Sequence, residues 1–254
     1  MRFIEQKYLQ MFSESVGKHL PDWFAAFDFS SQQIDLGYRI QASAVYSSNI
    51  EGNTIDINSY MNSIIAKENF KPRKELQEIE DLVKAYEFAK ENELTEKNLL
   101  KAHKILSQTI LIKDKRGKYR TDRMGVFDNT GLVYLAIESE NVASTMKELF
   151  KDIQDLLQQN LSLTAIFYHT SLIHLKLAHI HPFWDGNGRA ARLLEKWFLS
   201  TKINSRAWYL QSEKYYKEHL SAYYQNINLG VNYYELDYDK CLPFLEMLPQ
   251  ALKE

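Results

Sequence analysis

The chain has 254 residues, 45% apolar and 25% charged, with 31 Lys and Arg against 33 Asp and Glu and a formal net charge of −2. This is the composition of a globular chain long enough to bury a core of one or two domains, and it excludes nucleic-acid binding by overall basicity. Glycine (9) and proline (5) together fall below half their usual share of ~12%, so long helices are expected and few hairpins. Cys241 is the single cysteine, which excludes an intramolecular disulfide and a cysteine zinc site and fits a reducing compartment. Glu5 and Lys7 interrupt what a signal peptide would keep apolar, and no apolar run reaches the ~18 residues of a membrane span. A cytoplasmic protein with no membrane contact is expected.

Residues 1–33 read as a leader that packs through its aromatics. Ile34, Tyr38, Val45 and Ile50, with Ala42, suit a helix over 34–50. Gly52-Asn53 stops it, and a shorter helical stretch follows over 54–66. Residues 69–72 end on a proline and read as a loop. Leu76, Ile79, Leu82, Val83, Tyr86 and Ala89 recur at helical spacing. Thr95 caps the next stripe, Leu99, Leu100, His103 and Leu106. Over 117–137 the period changes. Val126-Phe127 and Leu132-Val133-Tyr134, separated by Asp-Asn-Thr-Gly, read as a β-hairpin. Helical period returns over 142–157, 163–179 and 188–199. The Tyr-rich tail, 205–254, is expected as two helical pieces divided near Gly230.

One segment concentrates chemistry: His181-Pro-Phe-Trp-Asp185-Gly186-Asn187-Gly188-Arg189-Ala-Ala-Arg192. A helix ends, a loop carries a base and an acid, and a new helix begins with two arginines. The glycines let successive N–H groups face one concavity, and a helix N-terminus adds about half a positive charge there. This makes a phosphate site. Arg189 and Arg192 share a helix face and each can grip phosphate bidentately. Asp185 is a hard oxygen ligand suited to Mg²⁺ beside phosphates, and His181 titrates where it can take a proton from a hydroxyl. Singly, each feature has a structural explanation: a turn, a packed histidine, an N-cap, solvated arginines. Their convergence within one short loop is what points to a site. The Gly186–Ala191 stretch also fits a dinucleotide fingerprint, but the segment before it has helical rather than strand period. A metal site from His174, His179 and His181 lacks the spacing, and His169, His174 and His179 read as core histidines.

The segment resembles, at every fixed position, the signature H-P-F-x-D/E-G-N-G-R-x-x-R of Fic-domain proteins, with similarity over residues 35–225. The resemblance implies an all-α fold, a Fic-type helical bundle with a short β-hairpin flap. It also implies transfer of AMP from ATP to protein hydroxyls. On that resemblance His181 is the base, Phe183 anchors the loop, and Asp185 holds Mg²⁺ between the α- and β-phosphates. Gly186, Asn187 and Gly188 cradle phosphate oxygens, Arg189 supports the β-phosphate and Arg192 holds the γ-phosphate. Related phosphotransferases have Lys where this chain has Gly188. Ser47-Ser-Asn-Ile-Glu51-Gly52 is similar to the family's inhibitory motif, in which the Glu pairs with the second motif arginine. Ser47 and Glu51 share one helical face. Gly117-Lys-Tyr-Arg120 and the hairpin resemble the flap that docks the target's main chain, with Met124, Gly125, Val126 and Phe127 bordering the nucleotide. Leu135-Ala136-Ile137 stands where the family often has prolines. Tyr215, Tyr216, Tyr223 and Tyr224 are expected on a helix near the adenine, as packing or as self-modification sites.

The expected organisation is a leader (1–33), an inhibitory helix region (34–66), a Fic core (67–225) with flap at 117–137 and motif at 181–192, and a helical tail (226–254). The tail is expected to be too short for the core's closing helices plus a complete DNA-binding domain. The expected activity is ATP- and Mg²⁺-dependent AMP transfer to Ser, Thr or Tyr of a target protein, autoinhibited by Glu51 on Arg192. Removal of AMP with Glu51 orienting water, and a silent ATP-binding module, are the alternatives. Self-modification and a homodimer are left open, and nucleic acid is not expected as a partner.

Overall fold

Apolar residues at helical spacing can be hidden only by stacking helices face to face, and that is the architecture. The structure, a computed structural model, describes residues 4–27, 36–66, 73–128 and 131–253. The helices run in chain order α1 (Leu9–Phe12), α2 (Leu20–Ala26), α3 (Leu36–Ile50), α4 (Ile57–Ala66), α5 (Arg73–Glu91) and α6 (Glu96–Leu106). The hairpin strands β1 (Gly125–Asp128) and β2 (Gly131–Leu135) follow. Then come α7 (Ser139–Gln158), α8 (Leu163–Ile180), α9 (Asn187–Lys202), α10 (Ser212–Glu218), α11 (Leu220–Ile227), α12 (Leu242–Leu245) and α13 (Met247–Gln250). The fold is all-α with one small antiparallel sheet. No helix among the described residues is long and apolar enough to cross a membrane.

Two helices sit at the centre. α8 and α9 are buried along almost their whole length and pack against each other, joined by the loop that carries the His181 segment. Helices apolar on one face surround them. α5 turns Ile79, Leu82, Tyr86 and Ala89 inward, and α7 does the same with Val142, Met146, Leu149, Ile153 and Leu156. Thr95 caps α6 as expected, its hydroxyl accepting from the Asn98 N–H at 3.2 Å. The polar groups this burial traps are mostly partnered; Ser171, for instance, donates to the Leu245 carbonyl at 3.0 Å.

The hairpin pairs Gly125 with Leu135 and Val126 with Tyr134, then shifts by a bulge so that Phe127 faces Leu132. The turn residues 129–130, and the loop expected at 69–72, lie outside the described residues, as do residues 34–35. The tail differs from expectation. It breaks near Gly230 as read, but it forms short pieces rather than two helices. The reason is local. Asn232 accepts from the Tyr234 and Glu235 N–H groups, and Asp237 from that of Asp239, so side chains compete with helical bonding. Pro243 and Pro249 carry no N–H to continue one.

The N-terminal segment is tied into the same core. Ile4, Tyr8, Phe12, Val16 and Leu20 are buried at four-residue spacing. The Ile4 N–H donates to Asp152 at 2.7 Å, and the Tyr168 hydroxyl donates to the Glu5 carbonyl at 2.9 Å. Phe12 has no exposed surface and meets Tyr168 edge-on at 5.7 Å. Phe12→Ala should therefore destabilise the protein by about 3–5 kcal/mol, the usual loss for a large aromatic removed from a packed site. Equilibrium urea unfolding measures it, and a loss under ~1 kcal/mol would mean that the segment is only loosely docked.

Candidate active site

The loop between α8 and α9 is strained at one residue and braced at several. His181 terminates α8 with φ 51° and ψ 58°, the only positive φ among the described non-glycine residues. A non-glycine residue in this region costs on the order of 1–3 kcal/mol, so the surroundings must enforce it. Arg120 does so from the flap side: its Nε donates to the His181 carbonyl at 2.8 Å, and its N–H donates to the Pro182 carbonyl at 2.9 Å. Phe183 is fully buried and stacks on His103, with ring centres 3.6 Å apart and planes 7° from parallel. Burial pushes the half-buried His181 imidazole down to about 4, with the Arg120 charge adding to the effect. The ring is thus neutral near pH ~7 and able to accept a proton.

Asn187 braces the loop from the other side. Its Oδ1 accepts from the Phe183 N–H at 2.8 Å, and its Nδ2 donates to the Phe183 carbonyl at 2.9 Å. The side chain is therefore engaged in holding the loop. The expected phosphate contact of Asn187 therefore falls to its backbone N–H at the start of α9. Gly186, with φ 79°, makes the turn into α9, and its N–H is taken by Asp185 Oδ1 at 2.5 Å. Asp185 is half exposed, and Arg189 donates to its Oδ1 at 3.2 Å. Arg189 also lies 3.8 Å from Glu78, and its buried Nε has no hydrogen-bond partner among the described residues. No group of three or more His, Cys, Asp or Glu among the described residues forms a cage for a metal. Asp185 alone fits Mg²⁺ of the kind carried mainly by phosphates.

Arg192 is wholly buried, and all three of its nitrogens donate. Nε donates to Ser47 Oγ at 2.8 Å, and Nη2 donates to the Ser47 carbonyl at 3.0 Å and to Glu51 Oε1 at 2.6 Å. Nη1 donates to the Tyr223 hydroxyl at 3.2 Å. Desolvation alone would raise the Glu51 carboxyl, but Arg192, with Arg189 adding, outweighs it and leaves the group below its ordinary range. The α3 end that presents Glu51 is itself capped. Lys217 donates to the Asn49 carbonyl at 2.8 Å, and Tyr224 to the Ile50 carbonyl at 2.9 Å. Gly188 leaves the room Glu51 needs, since a Cβ there would lie 2.3 Å from Glu51 Oε1.

Beside these groups opens a cavity of about 410 Å³. Its polar end is Glu51, His181, Asn187, Gly188 and Arg192; its apolar walls include Val126, Val133, Ile227 and Leu229. Of the expected flap residues, Val126 and Phe127 line it; Met124 and Gly125 do not. Of the four tyrosines, Tyr223 and Tyr224 line it. Tyr216 is buried away from it, and Tyr215 stacks on His219. These tyrosines lie on two helices, α10 and α11, rather than one. Where the family often has prolines, the Leu135 N–H donates to the Val231 carbonyl at 2.9 Å and the Ala136 N–H to the Met124 carbonyl at 3.0 Å. Proline could make neither bond. The flap is thereby stitched to the 228–232 loop that forms the cavity wall.

Sequence reasoning placed His103 in an apolar stripe and missed its second role. Its Nδ1 accepts from the Gly117 N–H at 3.0 Å, which leaves Nε2–H to donate to the Asp185 carbonyl at 2.9 Å. A histidine on an otherwise apolar buried face is the signal, since a buried ring nitrogen calls for a partner. Arg120 was noted only as part of the flap sequence. The histidines weighed as metal ligands are hydrogen-bonded elsewhere: His174 to Glu195 and Tyr223, and His179 to Tyr238 and the Ile227 carbonyl.

The fold that holds this loop has known counterparts. Residues 93–199 match the Fic/DOC family. Ser47, Glu51 and Tyr223 lie outside the matched stretch. A Fic family protein from Desulfovibrio desulfuricans G20 superposes with TM-score 0.78 at 23% identity, over 95% of this chain and 72% of that one. A Fic-domain-containing signalling protein from Bacteroides thetaiotaomicron gives 0.62 at 22% identity, over 97% and 93%. Residues 134–508 of C. elegans Fic-1 give 0.69 at 20%, over 97% and 72%. At these identities the likeness is one of fold. No protein of curated function matches the chain in sequence. The family is known for AMP transfer and related transfers.

Gly188→Ala should expel Glu51 from Arg192, because the clashing atom is the far end of a flexible side chain and gives way before the helix does. The Glu51 carboxyl should then titrate back toward the ordinary range of ~4.3. An NMR titration of the Glu51 side chain measures this; an unchanged depressed value would mean that the helix, not Glu51, moved.

Proposed function

We propose that the protein is an adenylyltransferase that moves AMP from ATP to a hydroxyl side chain of a target protein, held inactive by Glu51 on Arg192. The observation that carries this reading is the neutral His181 imidazole at the polar end of a largely apolar cavity, beside a helix N-terminus and the Arg192 fork. The apolar part suits a base and the polar end suits a phosphate chain. In the reaction, the target hydroxyl oxygen bonds to the α-phosphorus while the bond to the bridging oxygen breaks and pyrophosphate leaves. The hydroxyl proton passes to His181. Gly186 makes the turn, and the Asn187 and Gly188 N–H groups at the start of α9 hold phosphate oxygens; Arg189 takes the β-phosphate side and Arg192 the γ-phosphate. Mg²⁺ on Asp185 would neutralise phosphate charge.

The exposed hairpin edge offers main-chain bonds to an extended target segment. Glu51 opposes all of this by occupying the arginine that the terminal phosphate requires. A carboxylate and a phosphate cannot share one fork, so the seated carboxylate leaves the triphosphate misaligned for attack.

Glu51→Gly should strongly raise AMP transfer, read by intact mass of the protein and of lysate proteins after incubation with ATP and Mg²⁺. The gain should vanish in the Glu51→Gly, Arg192→Ala double variant, since lock and activated site share that arginine and the two changes are far from additive. No added AMP on any protein with Glu51→Gly would sink the reading.

In the same background, His181→Ala should lower transfer by about 10²–10⁴-fold while ATP binding stays within a few-fold. A base depressed to about 4 stays deprotonated as the medium is acidified, so transfer should persist from about pH 8 to about pH 6 and fall only below that. Single-turnover rates across that range test it. An acid limb near the ordinary histidine value would show that some other group is the base.

A further inference from the structure

Arg192 has a second anchor that the lock does not touch. Its Nη1 donates to the Tyr223 hydroxyl at 3.2 Å, and that hydroxyl lies 2.9 Å from His174 Nε2. His174 Nδ1 lies 2.6 Å from Glu195 Oε2, which also accepts from the Tyr216 hydroxyl at 2.7 Å. All five side chains are at most 2% exposed. The hydrogens can be placed in one direction that keeps the carboxylate ionised. Arg192 donates to Tyr223, Tyr223 donates to His174, and His174 donates through Nδ1–H to Glu195. The Tyr223 ring is packed by Tyr216 and Phe244, so its hydroxyl is not needed to fill the core.

We propose that Tyr223 and His174 are positioning residues that, through the chain Arg192–Tyr223–His174–Glu195, hold the Arg192 guanidinium in its receiving orientation once Glu51 has left. The proposal rests on the ATP reading above. When Glu51 swings out, Arg192 keeps Ser47 on one edge and Tyr223 on the other, and the Nη2 hydrogen that Glu51 held becomes free for a phosphate oxygen. Glu195, reached through Tyr223 and His174, is then the carboxylate end of the fork's network. Without it a buried guanidinium would turn toward other acceptors, and its fork would no longer face the terminal phosphate. The relay thus serves only ligands that carry a γ-phosphate.

The test is calorimetric binding of ATP and of ADP, each with Mg²⁺, to Glu51→Gly and to Glu51→Gly, Tyr223→Phe. Removing one hydroxyl should weaken ATP about five- to tenfold and leave ADP within about twofold. Glu51→Gly, His174→Gln should shift the ATP to ADP ratio in the same direction with Tyr223 intact. Equal weakening of both nucleotides would mean that Tyr223 merely shapes the cavity wall, and no weakening of either would mean that Ser47 alone positions the arginine; both overturn the relay. Failure of Glu51→Gly itself to bind either nucleotide would refute the ATP reading, and the relay with it.

Discussion

A guanidinium with no exposed surface must have every direction of its fork answered, and Arg192 imposes that demand on the molecule. Its partners come from three places: Ser47 and Glu51 at the end of α3, Tyr223 on α11, and through Tyr223 the α8 and α9 pair His174 and Glu195. The charge therefore binds the N-terminal third of the chain to the tail across the central helix pair. Glu51 is about one-third exposed while its partner is wholly buried, so the carboxylate is the component with somewhere to go.

The loop that carries His181 depends on the same logic applied to backbone groups. A left-handed residue at the end of a buried helix leaves its carbonyl facing inward, and Arg120 collects that of His181 together with those of Asp122 and Ile137 from neighbouring segments. Asn187 closes both backbone groups of Phe183, and His103 bridges Gly117 to Asp185 while stacking on the Phe183 ring. Each brace comes from a different element, so the strained geometry belongs to the assembled fold and not to the loop alone. The same burial that makes these bonds necessary also keeps His181 and His103 neutral.

The cavity wall is likewise a composite. The hairpin supplies Val126, Phe127, Val133 and Tyr134, and the 227–230 loop supplies the facing side. The bond from Leu135 to Val231 and the Tyr134 hydroxyl on the His179 carbonyl fasten the hairpin to the core. A hairpin of this size has little stability of its own, and these fastenings give the cavity a fixed mouth.

The helices from Leu76 onward, the Thr95 cap, the hairpin and the His181–Arg192 segment were legible in the sequence. They are set by local rules: apolar spacing, a capping hydroxyl, turn chemistry and a run of residues that share one loop. The four-residue register of Ser47 and Glu51 was legible too, as a shared face. That they meet Arg192 came only from the family resemblance and from no local rule, because a contact across more than 140 positions depends on how helices stack. The tail was misread for the same reason in reverse: its Asn and Asp side chains took backbone partners that helical period alone could not foresee. His103, Asn187, Tyr223 and His174 show the division most plainly. Their identities are fixed locally, but a buried polar side chain acquires its role from whichever unpaired group the fold brings within ~3 Å of it, and only the packing of α3, α6, α8, α9 and α11 decided that.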